Sequence, residues 1–116
     1  MAYIRGAITA NNTFEDIDGK SNKLISEIFA SNKININDVS AIIFTVTDDI
    51  DVVNPCTCVR KKNGGNCAYM CFSEGKFVGM LSHCIRICVV VDKFAQSQAK
   101  HVYLDGASIL RPDLNT

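Results

Sequence analysis

The sequence lacks any surplus of charge. Twelve basic residues balance twelve acidic ones, and the only close basic cluster is Arg60-Lys61-Lys62. Nucleic-acid binding needs a broader electrostatic footprint than that. Long hydrophobic runs are also missing, and the longest apolar stretches are far too short to span a bilayer. Met1-Ala2-Tyr3-Ile4-Arg5 has neither the charged start nor the apolar core of a signal peptide. A cytoplasmic protein with no membrane and no nucleic-acid partner is the expectation. Proline is scarce: Pro55 and Pro112 are the only two. No Gly-x-Ser-x-Gly elbow and no phosphate-cradling glycine loop occurs, which removes the usual sequence signs of a serine hydrolase or a nucleotide enzyme.

Cysteine, by contrast, is plentiful: Cys56, Cys58, Cys67, Cys71, Cys84 and Cys88. The spacings are C-x-C, C-x3-C and C-x3-C, and the matched C-x2-C pairs of structural zinc sites are absent. With no export signal, disulfides are not expected. The cysteines read as small buried hydrophobes, and no zinc site is expected from their spacing.

The length of 116 residues fits one domain spanning 1–116. Such a chain supports one core and leaves little room for a deep pocket, which favours a site between subunits. Tyr3 to Ala10 reads as a strand, followed by a turn at Asn11-Asn12-Thr13. Thr13 with Asp16 resembles an N-cap box. The helix it opens runs to about Ser31, with Ile17, Leu24, Ile25, Ile28 and Phe29 at helical spacing. Asn32 to Asn37 is a polar connection, and Ala41 to Val46 a second strand. Pro55 suits the first turn of a short helix through Lys62, ended by Asn63-Gly64-Gly65. Cys67 to Phe72 is a third strand and Ser73 to Leu81 an irregular segment. Cys84 to Val91 is the clearest strand, rich in β-branched residues. Gln96 to Lys100 is a turn or short helix, His101 to Leu104 a last strand, and a compact tail ends in Leu110-Arg111-Pro112-Asp113-Leu114. The order indicates an α+β fold: a mixed sheet with one long helix packed on one face. Strands apolar on both faces need cover on both sides, and oligomer contacts would supply what one helix cannot.

Arg86 is the anomaly of the pattern. It sits between two isoleucines in Cys84-Ile-Arg-Ile-Cys88, and alternation puts it on the face of Cys84 and Cys88. A buried, unpaired guanidinium costs several kcal/mol, so Arg86 must meet a protein carboxylate such as Glu74, a ligand anion, or water. Arg5 poses the same question in the first strand, where the adjoining Gly6 permits close backbone approach. Glu74 is the only acidic residue between Asp51 and Asp92. Tyr103 needs a partner for its hydroxyl if buried. His101 has no metal-ligand or triad spacing around it. Together these residues suit binding of a compact anion and do not name a reaction.

The runs Ile4-Arg5-Gly6-Ala7, Thr47-Asp48-Asp49-Ile50 leading to Pro55, Val59-Arg60, Cys84-Ile85-Arg86-Ile87, His101-Val102-Tyr103-Leu104 and Leu110-Arg111-Pro112-Asp113-Leu114 resemble, in order, the AroH-class chorismate mutases. The resemblance implies a homotrimer of pseudo-α/β-barrel appearance with clefts between subunits, converting chorismate to prephenate by a [3,3] Claisen rearrangement without cofactor or metal. It implies that Arg86 faces the ether oxygen and that Glu74 accepts a hydrogen bond from the ring hydroxyl. Arg5 and Tyr103 would hold a carboxylate, Cys71 would touch the hydroxyl region, and Met70 would line the wall. Arg60 and Arg111 would stand at the cleft mouth. Asn54, Thr57 and Met70 depart from the family's usual residues, which bears on lid and affinity. A non-catalytic trimer binding a small carboxylate ligand is the alternative.

Overall fold

The two-residue alternation of the apolar strands produces one mixed sheet with two unlike faces. A computed structural model describes residues 1–111; Pro112-Asp113-Leu114 of the expected tail lies outside them. The strands are β1 (Ala2–Thr9), β2 (Val39–Val46), β3 (Ala68–Ser73), β4 (Cys84–Val91) and β5 (Val102–Leu104), with helices α1 (Phe14–Asn32) and α2 (Pro55–Asn63). The sheet order is β3-β2-β4-β1-β5. The β4 strand pairs antiparallel with both β1 and β2, while β5 on β1 and β3 on β2 are parallel.

One face of the sheet is the core. Ile4 and Ile8 from β1, Ile42 and Phe44 from β2, and Ile85 and Val89 from β4 are fully buried with Ile17, Leu24 and Ile28 of α1 and Val59 of α2. Full burial of an isoleucine or leucine side chain is worth about 1.5–3 kcal/mol, so this layer fixes the strand parity. Gly6 lies on the same face. A Cβ there would stand 2.6 Å from the Val102 carbonyl oxygen and 3.2 Å from Ile28. The missing side chain is what lets β5 and α1 close over β1, and it realises the close approach foreseen beside Arg5.

Local signals explain the element ends. Thr13 Oγ1 accepts from the Asp16 N–H at 3.2 Å. The Asp16 carboxylate reaches back to the Asn11 N–H at 2.6 Å instead of the cap residue's own, so the box is displaced toward the preceding turn. Pro55 opens α2 behind the N-cap Asn54, whose side chain accepts from the Cys56 N–H. The segment read as a turn or short helix after Gln96 is a 3-10 turn at Gln96–Gln98. Two differences from the sequence reading are short 3-10 turns at Ile36–Asp38 and Asp105–Leu110. A third is that β2 begins at Val39, two residues earlier than the apolar run, across a bulge between Val39 and Ala41. The polar Ser40 at that bulge hides the extension.

Candidate active site

The second face of the sheet carries the unusual polar residues, because the parity that buries Ile85 and Ile87 turns Arg86 the other way. Arg5, Ile43, Thr45, Arg86, Cys88 and Tyr103 line a depression of about 230 Å³ on that face. It meets a second one, about 350 Å³, at Thr45 and Arg86, where Glu74, Phe77 and Met80 form the far wall. Cys84 is fully buried just beneath, in a small cluster with Ala7, Tyr103 and Ala107. The expected side-sharing of Cys84, Arg86 and Cys88 is therefore present.

The loops that enter β4 fix where Arg86 stands. The Thr47 N–H donates to the Cys84 carbonyl at 3.1 Å, and the Cys84 N–H donates to Thr47 Oγ1 at 3.0 Å. Both carboxylate oxygens of Asp49 accept the His83 N–H, at 3.1 and 3.0 Å. Burial works against the Asp49 anion, yet hydrogen bonds from Thr47 and from the His83 backbone outweigh it and hold its carboxyl below the usual range. The Thr47-Asp48-Asp49 segment is thus a clasp on the residues immediately before Arg86.

Arg86 and Glu74 form an ion pair, with Nε to Oε1 at 2.8 Å. The Arg86 N–H is not directed along this contact, which makes it chiefly electrostatic. Oε1 also accepts from Thr45 Oγ1 at 2.7 Å. Among the described residues Oε2 is buried with no donor. The Glu74 side chain is only 10% exposed and that of Arg86 39%. The pair is therefore not sealed: the carboxylate is covered while the guanidinium opens onto the depression. A buried carboxylate oxygen without a donor is costly.

Arg5 is exposed, and its backbone N–H donates to His101 Nδ1 at 2.9 Å. That bond lies one step beyond the β1–β5 ladder, which begins at Gly6 opposite Val102. An imidazole accepting at Nδ1 carries its proton on Nε2. Burial, then the charges of Arg5 and Arg111, hold the His101 pKa below that of an ordinary imidazole. Tyr103 is buried to 8% and borders the same depression.

Two expected site residues, Cys71 and Arg60, stand elsewhere within the single chain. Cys71 is in register with Phe44 and packs on the core cluster, so its side chain does not join Arg86; burial also raises its thiol pKa. Met70, in register with Ile43, is on the face of the sheet that carries Arg86, 48% exposed on the edge strand, and lines neither depression. Arg60 is exposed in the last turn of α2 and lines neither depression. Arg111 lies near enough to His101 to act on its charge. Thr45, which the sequence did not single out, braces Glu74, and the acceptor nitrogen of His101 braces Arg5. A hydroxyl inside the apolar run Ala41–Val46 was the available signal for Thr45.

All six cysteines are free thiols. Burial is the first cause that pushes Cys56 up to about 12 and Cys84 up to about 11. Among the described residues no group of three or more His, Cys, Asp or Glu side chains is placed to hold a metal ion.

Comparison with known proteins finds relatives that match almost the whole chain. The family model described as chorismate mutase type I matches residues 1–114. Chorismate mutase AroH of Bacillus subtilis (strain 168) is 35% identical over 115 residues, covering 97% of this chain and 91% of the relative. Chorismate mutase AroH of Thermus thermophilus is 32% identical over 116 residues, covering 97% and 95%. The solved structure of a chorismate mutase from Clostridium thermocellum superposes with a TM-score of 0.88 at 36% identity, covering 94% of this chain and 99% of that one.

Proposed function

The chain belongs to the type I chorismate mutase family, and from that premise we propose how its own residues isomerise chorismate to prephenate in aromatic amino acid biosynthesis. The reaction moves electrons within one molecule, breaking a C–O bond as a C–C bond forms. Negative charge builds on the ether oxygen as that bond stretches. A fixed cation beside the oxygen stabilises the transition state more than the ground state. Arg86 has that part in our reading. Its guanidinium opens onto the depression, and its position is set by β4 and the Thr47–Asp49 clasp.

The observation that carries the reading is the ion pair with one oxygen left over. Glu74 Oε1 is engaged by Arg86 and Thr45, while the buried Oε2 has no donor among the described residues. The ring hydroxyl of chorismate supplies that donor. Arg5 and Tyr103, on the neighbouring strands of the same depression, take a substrate carboxylate and hold the compact conformer, so that orientation adds to electrostatics. No step calls for a metal, a cofactor or a covalent intermediate.

A homotrimer in the cytoplasm, with sites between subunits, completes the proposal. The depressions are shallow, and the sheet face above them is uncovered. Large apolar side chains surround them, with Met70 48%, Phe72 50% and Phe77 73% exposed. Arg60 and Cys71 stand away from Arg86 in their own chain, as expected if a neighbouring copy brings them to the cleft. The test is turnover: purified protein is expected to consume chorismate and form prephenate without added metal, at the mass of a trimer. Tight binding of a chorismate-like dianion without turnover would instead support the non-catalytic alternative.

A further inference from the structure

We propose that Thr45 is a positioning residue of this site, whose hydroxyl holds one oxygen of Glu74 so that the other stays free for the substrate. The proposal rests on the reading of Glu74 and Arg86 given above and extends it to a residue that acts through Glu74.

Thr45 is the direct cross-strand partner of Arg86, and on its other side it pairs with Phe72 of β3. It is thus the residue between the strand that carries Arg86 and the strand that leads into Glu74. The Glu74 N–H bonds back to the Val46 carbonyl at 2.8 Å, so the carboxylate hangs over β2 beside Thr45. An ionised carboxylate only accepts, and the threonine hydroxyl has one proton to give. That proton goes to Oε1, the same oxygen that faces Arg86. Both interactions therefore converge on one oxygen.

Without the hydroxyl, nothing on β2 opposes rotation of the carboxylate toward the guanidinium. Arginine and carboxylate favour a bidentate, fork-to-fork contact. In that geometry Oε2 turns away from the substrate hydroxyl, and the second oxygen screens the positive charge needed at the ether oxygen. Thr45 prevents this collapse. Strand preference does not explain the residue, since valine has the same shape and an equal preference for a strand, and the rest of β2 from Ala41 to Val46 is otherwise apolar.

The experiment compares wild type, T45V, T45S and the E74Q background in chorismate turnover. Hydrogen bonds to charged groups correspond to about 10- to 100-fold in rate. T45V is expected to lose that much kcat with KM changed by less than about threefold, and T45S to recover most of it. Added to E74Q, T45V is expected to cost little more, because the carboxylate it orients is gone. Should T45V fail to fold, T45A carries the same expectation. Equal losses in wild-type and E74Q backgrounds, or an unchanged kcat in T45V, overturn the proposal. If wild type itself shows no turnover, the proposed function fails and the role of Thr45 fails with it.

Discussion

Arg5 is held from behind by His101, its backbone N–H donating to Nδ1 at 2.9 Å. The imidazole stands where the next backbone acceptor of a longer β5 would be, so a side chain continues the ladder by one bond. This requires the neutral ring, and the two guanidinium charges of Arg5 and Arg111 favour it after burial.

Protonation of His101 is therefore expected to weaken the fold. The folded pKa lies below the 6.5 of an ordinary imidazole, so the unfolded chain binds the proton first. Stability is full above that value and falls as pH drops below it. Denaturant titrations between pH 5 and 8 (order-of-magnitude window around the imidazole pKa) check this. H101N keeps an acceptor at the Nδ1 position and should flatten that part of the curve. H101L should raise the KM for chorismate by a few-fold, about 1 kcal/mol for the lost bond to the Arg5 N–H. Equal pH curves for wild type and H101N would sink the assignment.

Arg86→Lys keeps the charge and loses the planar fork. Its kcat is expected to fall by at least ~100-fold, the scale of a lost oxyanion donor at ~3–4 kcal/mol, with the circular dichroism spectrum unchanged. A rate near that of wild type would show that Arg86 does not face the breaking bond.

Much of this was legible in the residues, and the gaps have physical causes. The β4 strand matches its β-branched run from Cys84 to Val91, and α1 ends within a residue of where its apolar periodicity stops. Arg86 and Glu74 stood out because charge is rare in their surroundings. The place of Cys71 relative to Arg86 was not legible, because alternation gives parity within a strand only. The register of β3 on β2, which puts Cys71 opposite Phe44, is a tertiary fact. His101 showed no motif because its partner is a backbone N–H ninety-six residues away. The 3-10 turns are too short to carry a periodicity.

Gly6→Ala tests how β5 is docked. A methyl group 2.6 Å from the Val102 carbonyl meets backbone that cannot swing aside, so β5 must shift. A loss of about 1–3 kcal/mol is expected from overpacking of this kind, read from the denaturant midpoint. Activity should fall as well, because Tyr103 follows Val102 on the same short strand. A variant as stable as wild type would mean that β5 can move freely.

The thiols should be slow to react. Alkylation needs the thiolate, and burial has pushed Cys56 up to about 12 and Cys84 up to about 11. In native protein near neutral pH these two are expected to label only on unfolding, and a chelator should leave activity and melting temperature unchanged. Rapid labelling of Cys84, or stoichiometric metal in the purified protein, would overturn the reading of the cysteines as packing residues.

The order β3-β2-β4-β1-β5 sets the two partners of the ion pair in unlike parts of the sheet. Arg86 is on the central strand, bonded to a neighbour on each side, whereas Glu74 follows an edge strand bonded on one side only, and sheet edges open at lower cost than sheet centres. Inheritance can act on these two places separately. In the proposed reading, the acceptor for the ring hydroxyl can then change at small cost to folding, while the cation at Arg86 is tied to the survival of the core.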